Sequence, residues 1–198
     1  MLSPRSRVHG GLVLASGLLG ISLSVLILGA SRGQATNAGL PGSNAADFSL
    51  RDSSGKIHGL AEYRRSPLVL IVAQHDGRST AVADRELKQV HQTFANDTDV
   101  KVLGIQVADD AGLLTASVNT PGILETRCPQ LPLLKDIDGS TARAYRVMDA
   151  PTAFVIDEAG VIRARVPLDH DGAAVSVAGT VSSLRPVKSD VLGLTTTH

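Results

Sequence analysis

The chain has 198 residues, 43% of them hydrophobic and 19% charged, with 19 basic side chains against 19 acidic ones. That apolar share excludes global disorder, and balanced charge without a basic run excludes nucleic acid as the main partner. A single cysteine and the absence of Trp exclude an internal disulfide, a self-contained dithiol enzyme and aromatic platforms for sugars or single strands.

Residues 10–30 carry no charge and are dense in Leu, Ile and Val. At about 1.5 Å of rise per residue this run crosses the roughly 30 Å core of a bilayer, so one N-terminal transmembrane helix is expected. Small residues at Gly33-Gln34-Ala35 leave a cleaved signal peptide as the alternative. Arg5 and Arg7 would hold residues 1–9 in the cytoplasm, which sends the remainder to the periplasmic side of a bacterial membrane. No Cys follows the apolar run, so a lipoprotein signal is excluded. Residues 31–40 are rich in small and polar side chains and read as a linker, 41–186 as the globular domain, and 187–198 as a flexible tail.

Within the domain, 47–50 alternates like a short strand and 52–55 reads as a turn. Residues 68–73 form a continuous apolar run, the mark of a strand buried on both faces. Residues 79–94 carry Val82, Leu87, Val90 and Phe94 at mostly helical spacing, with Asp76 or Ser79 as the expected cap. A second strand is expected over 100–107, then helical character interrupted by Pro121-Gly122, a strand near 131–134 and a short helix over 140–145. Two alternating runs, 153–156 and 161–166, flank Asp157-Glu158-Ala159-Gly160 and predict a β-hairpin. A last helix fits 171–184. The order of elements predicts an α/β layered domain.

Several strings resemble the thioredoxin-like superfamily, in particular its membrane-tethered TlpA-type and peroxiredoxin-like (AhpC/TSA, redoxin) branch. They are Pro41-Gly42, Ala46 to Leu50, Asp52 to Lys56, Leu60 to Tyr63, Ser66 to Leu70, Ala142 to Val147, and Ala150-Pro151-Thr152 leading to Asp157 and Gly160. The resemblance implies a three-layer sandwich around a mixed central sheet, a lineage of thiol-disulfide oxidoreductases and antioxidant proteins, and a cis proline at Pro151 facing the active site. The family's Cys-x-x-Cys falls on Gly77-Arg78-Ser79-Thr80. A helix N-terminus there would stabilise a thiolate and a second thiol would resolve the mixed disulfide. Glycine and hydroxyls do neither, so dithiol exchange is expected to be lost.

Cys128, in Arg127-Cys128-Pro129-Gln130, is the remaining redox candidate. Its plain role is a small residue at a loop–strand junction; its active role is a one-cysteine oxidoreductase or peroxidase, with Arg127 lowering the thiol pKa. His75-Asp76 beside Ser79 lacks the convergent geometry of a hydrolase triad. The six histidines (His9, His58, His75, His91, His170 and His198) show no paired ligand spacing, and no glycine-rich stretch matches a phosphate loop. No metal or cofactor is therefore expected. In active relatives the backbone just before the proline matched by Pro151 pairs with an extended peptide and needs no thiol to do so. The resemblance therefore implies a peptide-binding groove at Ala150-Pro151-Thr152 and an extracytoplasmic protein or peptide partner; its plain role is to shape the turn into the following strand.

Overall fold

The computed structural model describes residues 39–74, 80–107 and 122–185. The predicted span 10–30, residues 1–9 and the tail 187–198 lie outside the described residues. Among the described residues no helix is long and apolar enough to cross a membrane.

In chain order come β1 (Ser49–Asp52), β2 (Ile57–Gly59), a 3-10 turn (Leu60–Tyr63), β3 (Leu68–Ala73), α1 (Ala81–Phe94), β4 (Lys101–Val107) and α2 (Ile123–Arg127). They are followed by β5 (Leu133–Asp136), α3 (Ser140–Ala144), β6 (Thr152–Ile156), β7 (Ile162–Pro167) and α4 (Ala173–Leu184). The strands form one mixed seven-stranded sheet in the order β2-β1-β5-β4-β3-β6-β7. β3, β4 and β5 run parallel; β6 and β7 on one side, and β1 and β2 on the other, run antiparallel to their neighbours.

β3 lies where its sequence placed it, and all six side chains are buried. Alternate residues feed two cores: Val69, Ile71 and Ala73 pack with Leu87, Val90 and Phe94 of α1 and with Val177 and Val181 of α4. Leu68, Leu70 and Val72 pack on the opposite face with Leu60, Ala142 and Tyr145. Burying each of the larger aliphatic side chains contributes about 1.5–3 kcal/mol, which is why a strand with no polar face takes the central position. The predicted hairpin forms across β6 and β7, and its turn is closed by the Asp157 carboxylate. That carboxylate accepts the N–H groups of Ala159 and Val161 at 3.0 and 2.8 Å, while Gly160 supplies φ +84°.

Two local expectations are corrected. The first strand spans Ser49–Asp52 rather than 47–50: its ladder with β2 begins at the pair Ser49↔Gly59, and it runs on to Asp52, whose carbonyl accepts the Gly55 N–H at 3.0 Å to build the turn. The cap of α1 is Thr80, not Asp76 or Ser79. Its hydroxyl accepts the Ala83 N–H at 3.1 Å, which fixes the first turn one residue further on.

Candidate functional site

The register Val72↔Thr152 brings the end of β3 against the start of β6, so Pro151 stands beside the exit of β3. This is the carboxyl edge of the parallel strands, where open α/β sheets place ligands. Gln74 ties the corner together by donating from Nε2 to the Val147 carbonyl at 2.9 Å. Thr80 opens α1 at the same edge with its hydroxyl spent on the cap. Gly77, Arg78 and Ser79, together with His75 and Asp76, lie outside the described residues. Of the four degenerate motif positions the structure therefore places only Thr80, at a helix N-terminus and without a thiol.

Pro151 departs from the expectation of a cis bond: the Ala150–Pro151 peptide is trans. The chain here already runs extended into the sheet, with the Pro151 carbonyl accepting the Leu168 N–H at 2.8 Å, and trans is the lower-energy form of an X–Pro bond. Pro151 and Thr152 are buried and Ala150 is half-buried. The Ala150 carbonyl accepts the Thr152 hydroxyl at 3.1 Å, while Met148 just before it is 74% exposed.

Cys128 caps the C-terminus of α2 and is 3% exposed. It belongs to the core shared with Leu87, Leu124 and Leu131. Burial pushes its thiol pKa up; the nearby Lys88 charge lowers it less, and Asp84 adds to the rise. Arg127, the expected thiolate stabiliser, is engaged instead by Asp84 at 2.8 Å. Cys128 thus packs beside the first half of α1, but as a core residue holding its proton. It also lines a cleft of about 360 Å³ shared with Asp52, His58, Tyr63 and Leu133. That cleft lies over β2, β1 and β5 and reaches Leu103 of β4, with β3 between it and β6, where Pro151 leads in.

Sequence reasoning missed the cluster around His58. Its Nε2 lies 3.0 Å from Asp52 Oδ2 and its Nδ1 lies 3.1 Å from the Tyr63 hydroxyl, with Glu62 Oε2 at 3.4 Å from Nδ1. The Ser54 hydroxyl, then His58, hold the Asp52 carboxyl well below the usual carboxylate range. Both ring nitrogens are satisfied internally, so the cluster fastens the β1–β2 hairpin and offers no free ligand. The only signal in the sequence was an acidic residue and a His on paired strands across a short turn, a spacing that periodicity does not flag.

A model of the AhpC/TSA family matches residues 41–165. No curated protein is similar enough to match. Among solved structures, a thiol:disulfide interchange protein DsbE from Chlorobium tepidum is 18% identical, with a TM-score of 0.58, covering 73% of this chain and 97% of that one. A secreted Mycobacterium tuberculosis disulfide oxidoreductase homologous to E. coli DsbE is 20% identical, with a TM-score of 0.52, over 69% of this chain and 96% of that one. A thiol-disulfide oxidoreductase from Bacteroides fragilis is 23% identical, with a TM-score of 0.54, over 72% and 100%. At these identities the likeness establishes the fold, which is thioredoxin-like.

Proposed function

The chain belongs to the AhpC/TSA family, and from that premise we propose that it is a membrane-anchored, extracytoplasmic thioredoxin-like protein that has lost dithiol exchange and serves as a partner-binding or assembly module. One observation carries the loss of chemistry. The chain has a single cysteine, and that residue is buried in the core with its thiol pKa raised, while the helix start holds Thr80. A thiol–disulfide exchange cycle needs an accessible thiolate and a second sulfur to resolve the mixed disulfide.

The uncharged run 10–30 supports the anchor, and its flanking arginines support a domain on the far side of the membrane. The exposed Met148 and half-buried Ala150 beside Pro151 supply the surface on which an extended partner segment would lie. The test is insulin reduction and peroxide consumption by the full chain, with Cys128→Ala as control. Turnover is expected to equal the uncatalysed rate in both forms. Turnover that disappears with Cys128→Ala would instead establish the one-cysteine oxidoreductase or peroxidase, a reading favoured only by the cleft that Cys128 lines.

A further inference from the structure

Asp136 ends β5 at the carboxyl edge of the parallel strands and is 0% exposed. Its Oδ2 accepts the N–H of Ala142, the third residue of α3, at 2.8 Å. Its Oδ1 is closed to solvent and meets no donor. An ionised carboxylate with a bare, buried oxygen is one of the least favourable arrangements a fold can hold. The Thr141 N–H also acts on this carboxylate and, with Ala142, opposes the effect of burial without cancelling it. The side chain within hydrogen-bonding reach is another acid, Asp138, whose own carboxylate accepts the Ser140 N–H at 2.9 Å.

We propose that Asp136 is carried as a neutral carboxylic acid that donates its proton to the Asp138 carboxylate, making the β5–α3 corner a clasp that is tight in acid and loosens as the pH rises. The proton turns the orphaned Oδ1 into a donor and gives Asp138 a further partner. Which carboxyl keeps it follows from surroundings. Burial pushes Asp136 up, whereas exposed Asp138 is held down by the Ser140 hydroxyl and N–H. A metal ion would need more donors than this pair, and among the described residues no three His, Cys, Asp or Glu side chains converge on one point.

The other charges around the pair do not replace the proton. Arg143 of α3 acts on Asp138. β4 presents Val107 opposite Asp136, and continuing the β1 register from Arg51↔Lys135 brings Leu50 alongside. Lys135, one residue away on β5, is engaged with Glu125 at 3.4 Å. Arg51 donates to the Gly55 carbonyl at 2.7 Å.

The clasp sits at the start of α3, and three residues past the end of that helix the Val147 carbonyl holds Gln74 at the exit of β3, so the protonation of Asp136 is tied to the corner that includes Pro151. It stands whether or not the binding role is right. Because folded Asp136 holds its proton more tightly than the unfolded chain does, its contribution is fully present below the unfolded pKa of about 3.9 and is lost as the pH rises through the folded value.

The experiment is a carbon-13 titration of the aspartate carboxyls in the full chain, together with urea unfolding of Asp136→Asn. The asparagine keeps the acceptor for Ala142 and mimics the donor to Asp138. Asp136 is expected to titrate above about 3.9 and Asp138 below it. The variant's urea midpoint should match the parent near about pH 4 and exceed it near about pH 8. An Asp136 resonance titrating at or below the ordinary aspartate value overturns the proposal, and so does a variant midpoint below the parent's at both pH values. If the variant does not fold, the titration of the parent alone decides.

Discussion

Glu86 of α1 accepts the backbone N–H of Ala174, the second residue of α4, at 2.9 Å. A second N–H, from Gly172, reaches the same carboxylate at 3.4 Å. Gly172 has no side chain with which to cap α4, so a buried acid on the neighbouring helix does so, facing the positive end of the α4 dipole. The pair joins the two helices that cover one face of the sheet, and Arg85 pairing with Asp171 adds to the same junction.

Removing that carboxylate leaves the buried Ala174 N–H without a partner and takes the weaker acceptor from the exposed Gly172 N–H. Glu86→Ala should cost about 2–3 kcal/mol and Glu86→Gln about 1 kcal/mol, read by urea unfolding near neutral pH. The Ala174 N–H is the main cause holding the Glu86 pKa below its ordinary value. Its stabilisation is therefore present above the unfolded pKa and lost as the pH falls through the folded one, the opposite sign to Asp136. Glu86→Gln should flatten the acid limb of the stability profile; an unchanged acid limb would refute the capping role.

Arg146 holds a backbone conformation that favours glycine. It follows α3 with φ +55°, the Arg146 N–H donating to the Arg143 carbonyl at 3.0 Å and the Val147 N–H to the Ala142 carbonyl at 2.9 Å. That is a Schellman ending with a Cβ-bearing residue where glycine is favoured. The left-handed conformation costs roughly 1–2 kcal/mol, of which the greater freedom of an unfolded glycine takes back about half. With the arginine side chain removed in every variant, Arg146→Gly is thus expected to be more stable than Arg146→Ala by about 0.5 kcal/mol and Arg146→Val less stable than Arg146→Ala, by the same unfolding measurement. The Arg165 guanidinium bonds the Arg146 carbonyl at 3.0 Å, a contact that survives either change.

Cys128 should behave as a core residue toward reagents. A thiol-selective alkylator near pH 7 is expected to label the folded chain slowly and the urea-unfolded chain at the rate of a free thiol. Cys128→Ser buries a hydroxyl among Leu87, Leu124 and Leu131 and should cost about 1–3 kcal/mol, more than Cys128→Ala relative to side-chain volume lost. Rapid labelling of the folded chain would return the thiol to consideration as a nucleophile.

What the sequence disclosed and what it concealed divide along physical lines. β3 was legible because a short apolar run rich in Val, Leu and Ile is too brief for a buried helix and fits a strand covered on both faces. The β6–β7 hairpin was legible because Asp157 to Gly160 carries its own turn chemistry. Glu86 was not, since a charged residue on an amphipathic helix reads as solvent-facing until the partner helix is in place. His58 looked solitary because its partners Asp52 and Tyr63 are brought to it by the turn and the 3-10 segment, not by ligand spacing. Asp136 and Asp138 are two acids one residue apart after an apolar run, and only the burial of the first distinguishes them. Pro151 leads into β6 beside the exit of β3, but its peptide geometry was inferred from kinship and is trans in the fold.

At the carboxyl edge Gly122 packs directly against Gln106. Gln106, buried at the end of β4, accepts the Leu124 N–H through Oε1 at 3.0 Å and donates from Nε2 to the Ala73 carbonyl at 3.2 Å. It therefore caps α2 and grips the last residue of β3 at once. A Cβ on Gly122 would meet Gln106 Cδ at 2.4 Å and Oε1 at 2.6 Å. Gly122→Ala must displace that amide, so overpacking and the lost hydrogen bonds together should cost about 2–3 kcal/mol. Gln106→Ala alone should cost a similar amount, because the Leu124 N–H is left without its acceptor. In the double variant the second methyl enters space already vacated, and the sum should fall short of additive by at least about 1 kcal/mol in a double-mutant cycle. Additive losses would mean that the amide relaxes without strain and that Gln106 does not hold the two elements together.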